Sequence, residues 1–202
     1  MNKLALTTLG TVALLAMPLS AQAVEFTFGT QANGAYSDDE FSTSGEAYAG
    51  AALGGAFAGF WIGSLPDDFE YELSLGYGMD IGEVALAATT TAYFTGDGGY
   101  GSQDIALEAA YGITDAVELG AGISYDFDSE MVDVSAGLGY DFADSWNAAA
   151  LVGHDGTGIY WEAGVTYGFA ESAWIGLLYE DSDYDPSTIT LSVGYDFGPY
   201  GG

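Results

Sequence analysis

Carboxylates are nearly all the chemical equipment this chain has. It carries 30 Asp and Glu against one Lys or Arg, and that one cation is Lys3. One His, His154, and no Cys complete the set. Acids without basic partners can hold metal ions, act as acid or base beside a second group, or line a wetted wall that gathers cations. Recognition of nucleic acid through basic side chains is excluded, because beyond Lys3 nothing remains to meet a phosphate. Without Cys there is no disulfide, no thiol nucleophile and no Cys-ligated metal.

Each of the three chemistries has a place in the sequence. Asp181-Ser182-Asp183-Tyr184-Asp185 alternates carboxylates as calcium loops do. The pattern then fails, with Pro186 where Gly is required and Ser192 where a bidentate Glu belongs. Asp181, Asp183 and Asp185 stay as residual metal candidates in what also reads as a hydrated loop. His154 sits in Gly153-His154-Asp155-Gly156-Thr157, and no nucleophile or orienting acid can be placed beside it. The expectation is a protein that is not an enzyme and uses no cofactor. The third chemistry, a wetted acidic wall, depends on the elements that carry the acids.

Those elements are strands. In Ile189–Phe197, Ile189, Leu191, Val193, Tyr195 and Phe197 alternate with Thr190, Ser192, Gly194 and Asp196. Side chains alternate sides along a strand, so one face is apolar and the other small and polar. The ending Gly-Tyr-Asp-Phe recurs at Gly139–Phe142. Turn-like runs begin at Gly112, Asp141 and Gly168, spacings of 29 and 27 residues (141 − 112 and 168 − 141). One such period accommodates a strand, a loop and a returning strand. The expected strands are 24–36, 43–53, 56–63, 69–81, 84–95, 104–113, 116–127, 131–142, 146–153, 158–169, 172–180 and 188–197. The fold class is all-β: a closed antiparallel transmembrane β-barrel of about twelve strands, ten or fourteen being the neighbouring counts, with short periplasmic turns and longer acidic external loops. A competing reading makes 47–63 a membrane helix through Gly55, Gly59 and Gly63, although the run falls short of a span and lacks flanking cations.

With the apolar face outward, Leu73, Leu75, Tyr77, Leu119, Ile123, Leu138, Val165 and Val193 face lipid. Glu70, Glu72, Asp80, Glu108, Glu118, Asp133 and Glu162 then line a pore. Inward glycines leave room there, and acids without Lys or Arg partners must stay hydrated or be neutralised by protons or metal cations. Alternation does not resolve which way Trp61 and Trp174 face; with Tyr160 they are candidates for a sugar slide. Tyr140, Phe142, Tyr167, Phe169, Tyr195 and Phe197 read as the periplasmic aromatic girdle, and Tyr125 and Phe127 as part of the outer one.

Residues 1–23 read as a secretory signal peptide, basic at Lys3, apolar from Leu4, and cleaved after Ala21-Gln22-Ala23. The expected mature domain, 24–202, is one barrel in a bacterial outer membrane. Ala56-Phe57-Ala58-Gly59-Phe60-Trp61-Ile62-Gly63-Ser64, followed by Glu70-Tyr71-Glu72-Leu73-Ser74-Leu75-Gly76-Tyr77-Gly78, resembles the TorF-type porins, short outer-membrane β-barrels of proteobacteria. The sequence departs from that family at Ser37-Asp38-Asp39-Glu40-Phe41, where the family carries Arg, and in the tail Gly198–Gly202 after the last strand. The resemblance implies a pore class and no substrate. The function expected is passive diffusion of cations or small neutral solutes through an acid-lined lumen. The alternative is a structural surface barrel whose acidic external loops bind divalent cations or a partner. The expected partners are the outer-membrane bilayer and those solutes, with no nucleic acid; the oligomeric state is left open.

Overall fold

A computed structural model describes residues 24–64, 69–96 and 98–200, so the expected signal peptide, 1–23, lies outside the described residues. Alternating sequence becomes strand throughout. In order these are β1 (Glu25–Ser37), β2 (Glu40–Leu53), β3 (Ala56–Ser64), β4 (Phe69–Ile81), β5 (Val84–Thr95) and β6 (Tyr100–Gly112). The second half comprises β7 (Val117–Asp126), β8 (Val132–Ala143), β9 (Trp146–His154), β10 (Ile159–Gly168), β11 (Ala173–Ser182) and β12 (Thr188–Tyr200). Every strand pairs antiparallel with its sequence neighbours, and β1 pairs with β12 to close a twelve-stranded barrel. Closure satisfies the N–H and C=O groups that an open edge would leave bare in hydrocarbon.

The strands run further than the sequence alone suggests. β2 starts at Glu40 and β6 at Tyr100, each inside a stretch expected to be loop, and β12 continues past Phe197 to Tyr200. Asp38 and Asp39 form the whole β1–β2 connection, with φ of 50° and 66°. Two left-handed residues in succession are the type I′ geometry that matches strand twist, and Asp tolerates that region better than most residues. The extra length of β12 needs an irregularity, which falls between Phe26 and Phe28 on β1. At the opposite end Gly54–Gly55 and Gly82–Glu83 make two-residue turns, with Gly54 and Gly82 left-handed. Residues 47–63 are therefore not a helix: they are divided between β2 and β3 about the Gly54–Gly55 turn. The outer connections reach five residues at 127–131 and 183–187, modestly longer than the inner turns.

The packing is inside-out. The buried apolar side chains are small or few (Ala52, Phe57, Ala87 and Ala106), while Leu75 is 62% exposed and Leu107 56%. All eight side chains expected to face lipid, from Leu73 to Val193, fall on the outward face of the cross-strand register. So large an apolar belt in water would aggregate; in a bilayer it is the solvent-facing surface. Rings pack together at both rims of it: Phe142 with Trp146 and Trp146 with Tyr167, tilted, at one end, Tyr71 stacked on Phe94 and Trp161 tilted against Tyr179 at the other.

Replacing Leu138 with Arg, in the middle of β8, should cost about 2–4 kcal/mol in refolding from urea into lipid vesicles. Gly139→Ser, one residue on and inward, should be nearly neutral, since a Cβ there meets nothing within 4 Å.

Candidate functional site

The site is the inner wall, and cross-strand register fixes which residues compose it. All seven acids expected to line a pore lie on the inward face. Glu70 stands opposite Gly63 and Thr95, Glu72 opposite Trp61 and Tyr93, and Asp80 opposite Ala85. Glu108 lies between Ala87 and Gly122, and Glu118 between Gly112 and Gly139. Asp133 is opposite Ser124, and Glu162 between Leu151 and Glu180. They do not converge on one point. Glu72 feels the charges of Asp104, Glu70 and Glu46 on one side of the barrel, and Glu162 those of Glu180 and Asp133 on another.

Glu46, Asp104 and Glu180 join these groups although sequence reasoning passed over them. Asp104 and Glu180 stood at the ends of expected strands, where alternation is weakest. Glu46 stands in β2 among Gly45, Ala47 and Ala49, residues too small to mark an apolar face. The inward rings were equally hard to assign. Trp61 and Trp174 both point into the barrel, as does Tyr160, together with Tyr48, Phe57 and Tyr93.

Those rings supply donors that the composition withholds from basic side chains. The Trp61 indole N–H donates to Glu46 at 3.1 Å, the Tyr93 hydroxyl to Asp104 at 2.8 Å and the Tyr160 hydroxyl to Asp133 at 3.1 Å. The Tyr48 hydroxyl donates to Asp196, and the Asn33 amide to Glu46. The same rings fill space that glycines were expected to leave open. A Cβ at Gly29 would meet the Tyr48 ring, at Gly76 Phe57, at Gly153 Tyr160 and at Gly194 Trp174. Open wall instead gathers on β7 and β8, where a Cβ at Gly139 meets nothing within 4 Å and one at Gly120 only a carbonyl oxygen at 4.0 Å.

The remaining candidates have local roles, and the expected loop is partly strand: His154 ends β9 and Asp181 lies within β11, leaving Asp183 and Asp185 in the connection. His154 is opposite Val134 and Ile159 on the outward face, and its Nδ1 accepts the Gly156 N–H at 2.9 Å. Asp183 accepts the Ile159 N–H at 3.0 Å, and Asp181 faces outward opposite Trp161. Among the described residues no three His, Asp or Glu are grouped to hold a metal ion. Asp155 accepts four hydrogen bonds: from the Thr157 hydroxyl and N–H, the Gly158 N–H and, across the gap between connections, the Tyr184 hydroxyl. Desolvation opposes ionisation of Asp155, yet those bonds outweigh it and hold the carboxyl well below the usual range. The bond to Asp155, reinforced by desolvation, pushes Tyr184 up to about 12.

Comparison with known proteins agrees with this architecture. The family model described as outer membrane protein beta-barrel domain matches residues 9–197. The solved KdgM porin superposes with a TM-score of 0.73 at 10% identity, covering 84% of this chain and 99% of its own. A KdgM porin in complex with disordered oligogalacturonate gives 0.71 at 10% identity, with coverage of 84% and 99%. A double mutant of the Rh. blastica porin gives 0.58 at 11% identity, covering 86% of this chain and all of its own. Curated protein sequences yield no match.

Gly194→Ala should force the Trp174 ring off the wall, costing about 1–3 kcal/mol in a urea titration and shifting tryptophan emission, whereas Gly120→Ala should do neither. The Asp155–Tyr184 tie should survive acid: a lowered carboxyl stabilises it above the ordinary Asp pKa of about 3.9 and loses that effect only as pH falls through its own lower value. A raised tyrosine acts in the opposite sense, with its contribution complete below about pH 10 and lost as pH rises through about 12. Tyr184 ring resonances in NMR spectra should therefore stay constant from about pH 5 to 9 and move on Asp155→Asn.

Proposed function

The chain belongs to the outer membrane protein β-barrel family, and from that premise we propose that it is a passive pore favouring cations and small neutral solutes. One observation carries the reading: the inner wall presents Glu70, Glu72, Asp80, Glu108, Glu118, Asp133 and Glu162, while no Lys or Arg occurs beyond Lys3. Carboxylate-lined lumens concentrate cations and repel anions, and salt weakens both effects by screening. Residues 1–23 serve as the export signal, cleaved after Ala23, and the run Ala56–Ser64, which forms β3, suits a TorF-type relative.

The solutes differ from the one named for the KdgM complex. Oligogalacturonate carries a carboxylate on every sugar, and a wall without Lys or Arg has no side-chain cation to pair with it. A lumen of acids and rings suits uncharged or positively charged solutes instead. The reading of a surface barrel with cation-binding loops is less well supported, because Asp155 and Asp183 are already engaged in hydrogen bonds between the external connections.

Planar-bilayer recordings in asymmetric KCl test the proposal. The reversal potential should be cation-selective at neutral pH and low salt, and should decline as the carboxylates protonate. Changing Glu72, Glu108, Glu118 and Glu162 together to Gln should reduce it while the protein still folds. Anion preference at neutral pH would exclude the acidic-lumen mechanism, and folded protein that never conducts would favour the structural barrel.

A further inference from the structure

On the wall built by β2–β6 we infer a binding site for small organic cations, ammonium compounds with an apolar body, formed by Glu72 between the Trp61 and Tyr93 rings. Tyr48, Trp61, Glu72 and Tyr93 make one cross-strand row on the inward face of β2, β3, β4 and β5. Direct neighbours in such a row have Cβ atoms about 4.5–5.5 Å apart, so Glu72 has an aromatic residue on each side, the Trp61 indole lying over Gly63 toward Glu46 and the Tyr93 ring reaching to Asp104. Its side chain is only 8% exposed. No hydrogen bond reaches it from the described residues, because the donors beside it are committed elsewhere: Trp61 to Glu46 and Tyr93 to Asp104.

A carboxyl removed from water stays ionised only with a donor or a cation beside it, and otherwise takes up a proton, with which a bound cation must compete. Around Glu72 the protein offers ring faces and further negative charge from Asp104, Glu70 and Glu46. Ring faces attract cations, and they do so best with cations that can shed water and accept apolar contact. Among the described residues the acids are not grouped to coordinate a metal ion, which would need converging oxygens. An organic ammonium fits both parts of the wall: charge for Glu72, apolar surface for the rings. The row lies at the loop end of β4 and β5, three residues from Phe69 and two from Thr95, where a solute entering from outside arrives first.

This inference rests on the pore reading for access alone, and choline chloride serves as probe for both. Added to the outer side of a barrel conducting KCl, choline should lower the current saturably. Glu72→Gln, and separately Trp61→Leu and Tyr93→Leu, should weaken its apparent affinity about tenfold, the scale of one desolvated cation contact. Sodium, lacking the apolar body, should not compete. Binding is also read without ion flow, by tryptophan fluorescence of the folded protein in micelles. Saturable choline binding by a barrel that never conducts would overturn the pore and keep the site. A cation-selective pore with no saturable choline effect, or with one unchanged in all three variants, would overturn the site and keep the pore. Should Glu72→Gln fail to fold, the two ring variants carry the test.

Discussion

Everything in this molecule follows from the cost of leaving a backbone N–H or C=O unpaired in hydrocarbon. That cost makes the β1–β12 pairing as necessary as any hairpin, even though it joins the two ends of the described chain and needs an irregularity at Phe26–Phe28. Once the sheet is closed, the period of two distributes chemistry with no further choice. Leu73, Leu75 and Tyr77 must face lipid if Glu72, Ser74 and Gly76 are to face in, and a slip of one residue would exchange the two sets. Lipid-facing stability and lumen chemistry are consequently coupled in every strand.

Inside, the want of basic side chains changes how acids are held. Barrels whose acids pair with Arg or Lys neutralise charge and fix geometry with one bond. Here the two tasks are separated. Indole, phenol and amide donors fix Glu46, Asp104, Asp133 and Asp196 without neutralising them. The rings that do so need room on the wall, and glycines such as Gly29 and Gly153 provide it by lacking a Cβ. Glycine in this lumen is therefore partly a seat for aromatic side chains and partly open wall, the latter on β7 and β8.

The fold was largely legible because strong apolar alternation and a near-regular hairpin period both reported the same geometry. Strand ends were less so. Asp38 and Asp39 look like loop by composition, yet the left-handed geometry they adopt extends the hairpin to its limit. The facing of Trp61 and Trp174 was hidden for a different reason: aromatic residues suit lipid and lumen alike, and register with Glu72 and Gly194 decides it only once pairing is known. The acids on the inner wall could be picked out from alternation; their division into two groups could not, since it depends on which strands close on which.

A second division, between acids tied to donors and acids without them, cuts across those two groups. Carboxylates tied to rings, such as Asp133 to Tyr160, have a donor that persists whatever fills the lumen. Glu72, Glu108 and Glu162 have wall neighbours that cannot donate through their side chains: Trp61 and Tyr93 with their donors engaged, Ala87 and Gly122, Leu151 and another glutamate. What meets these carboxyls must then come from the lumen side, as water, a proton or a cation. The tied acids are fixed in place by the wall, and the untied ones are not. A sequence that excludes Lys and Arg beyond residue 3 leaves the second group with no side-chain ammonium or guanidinium to pair with.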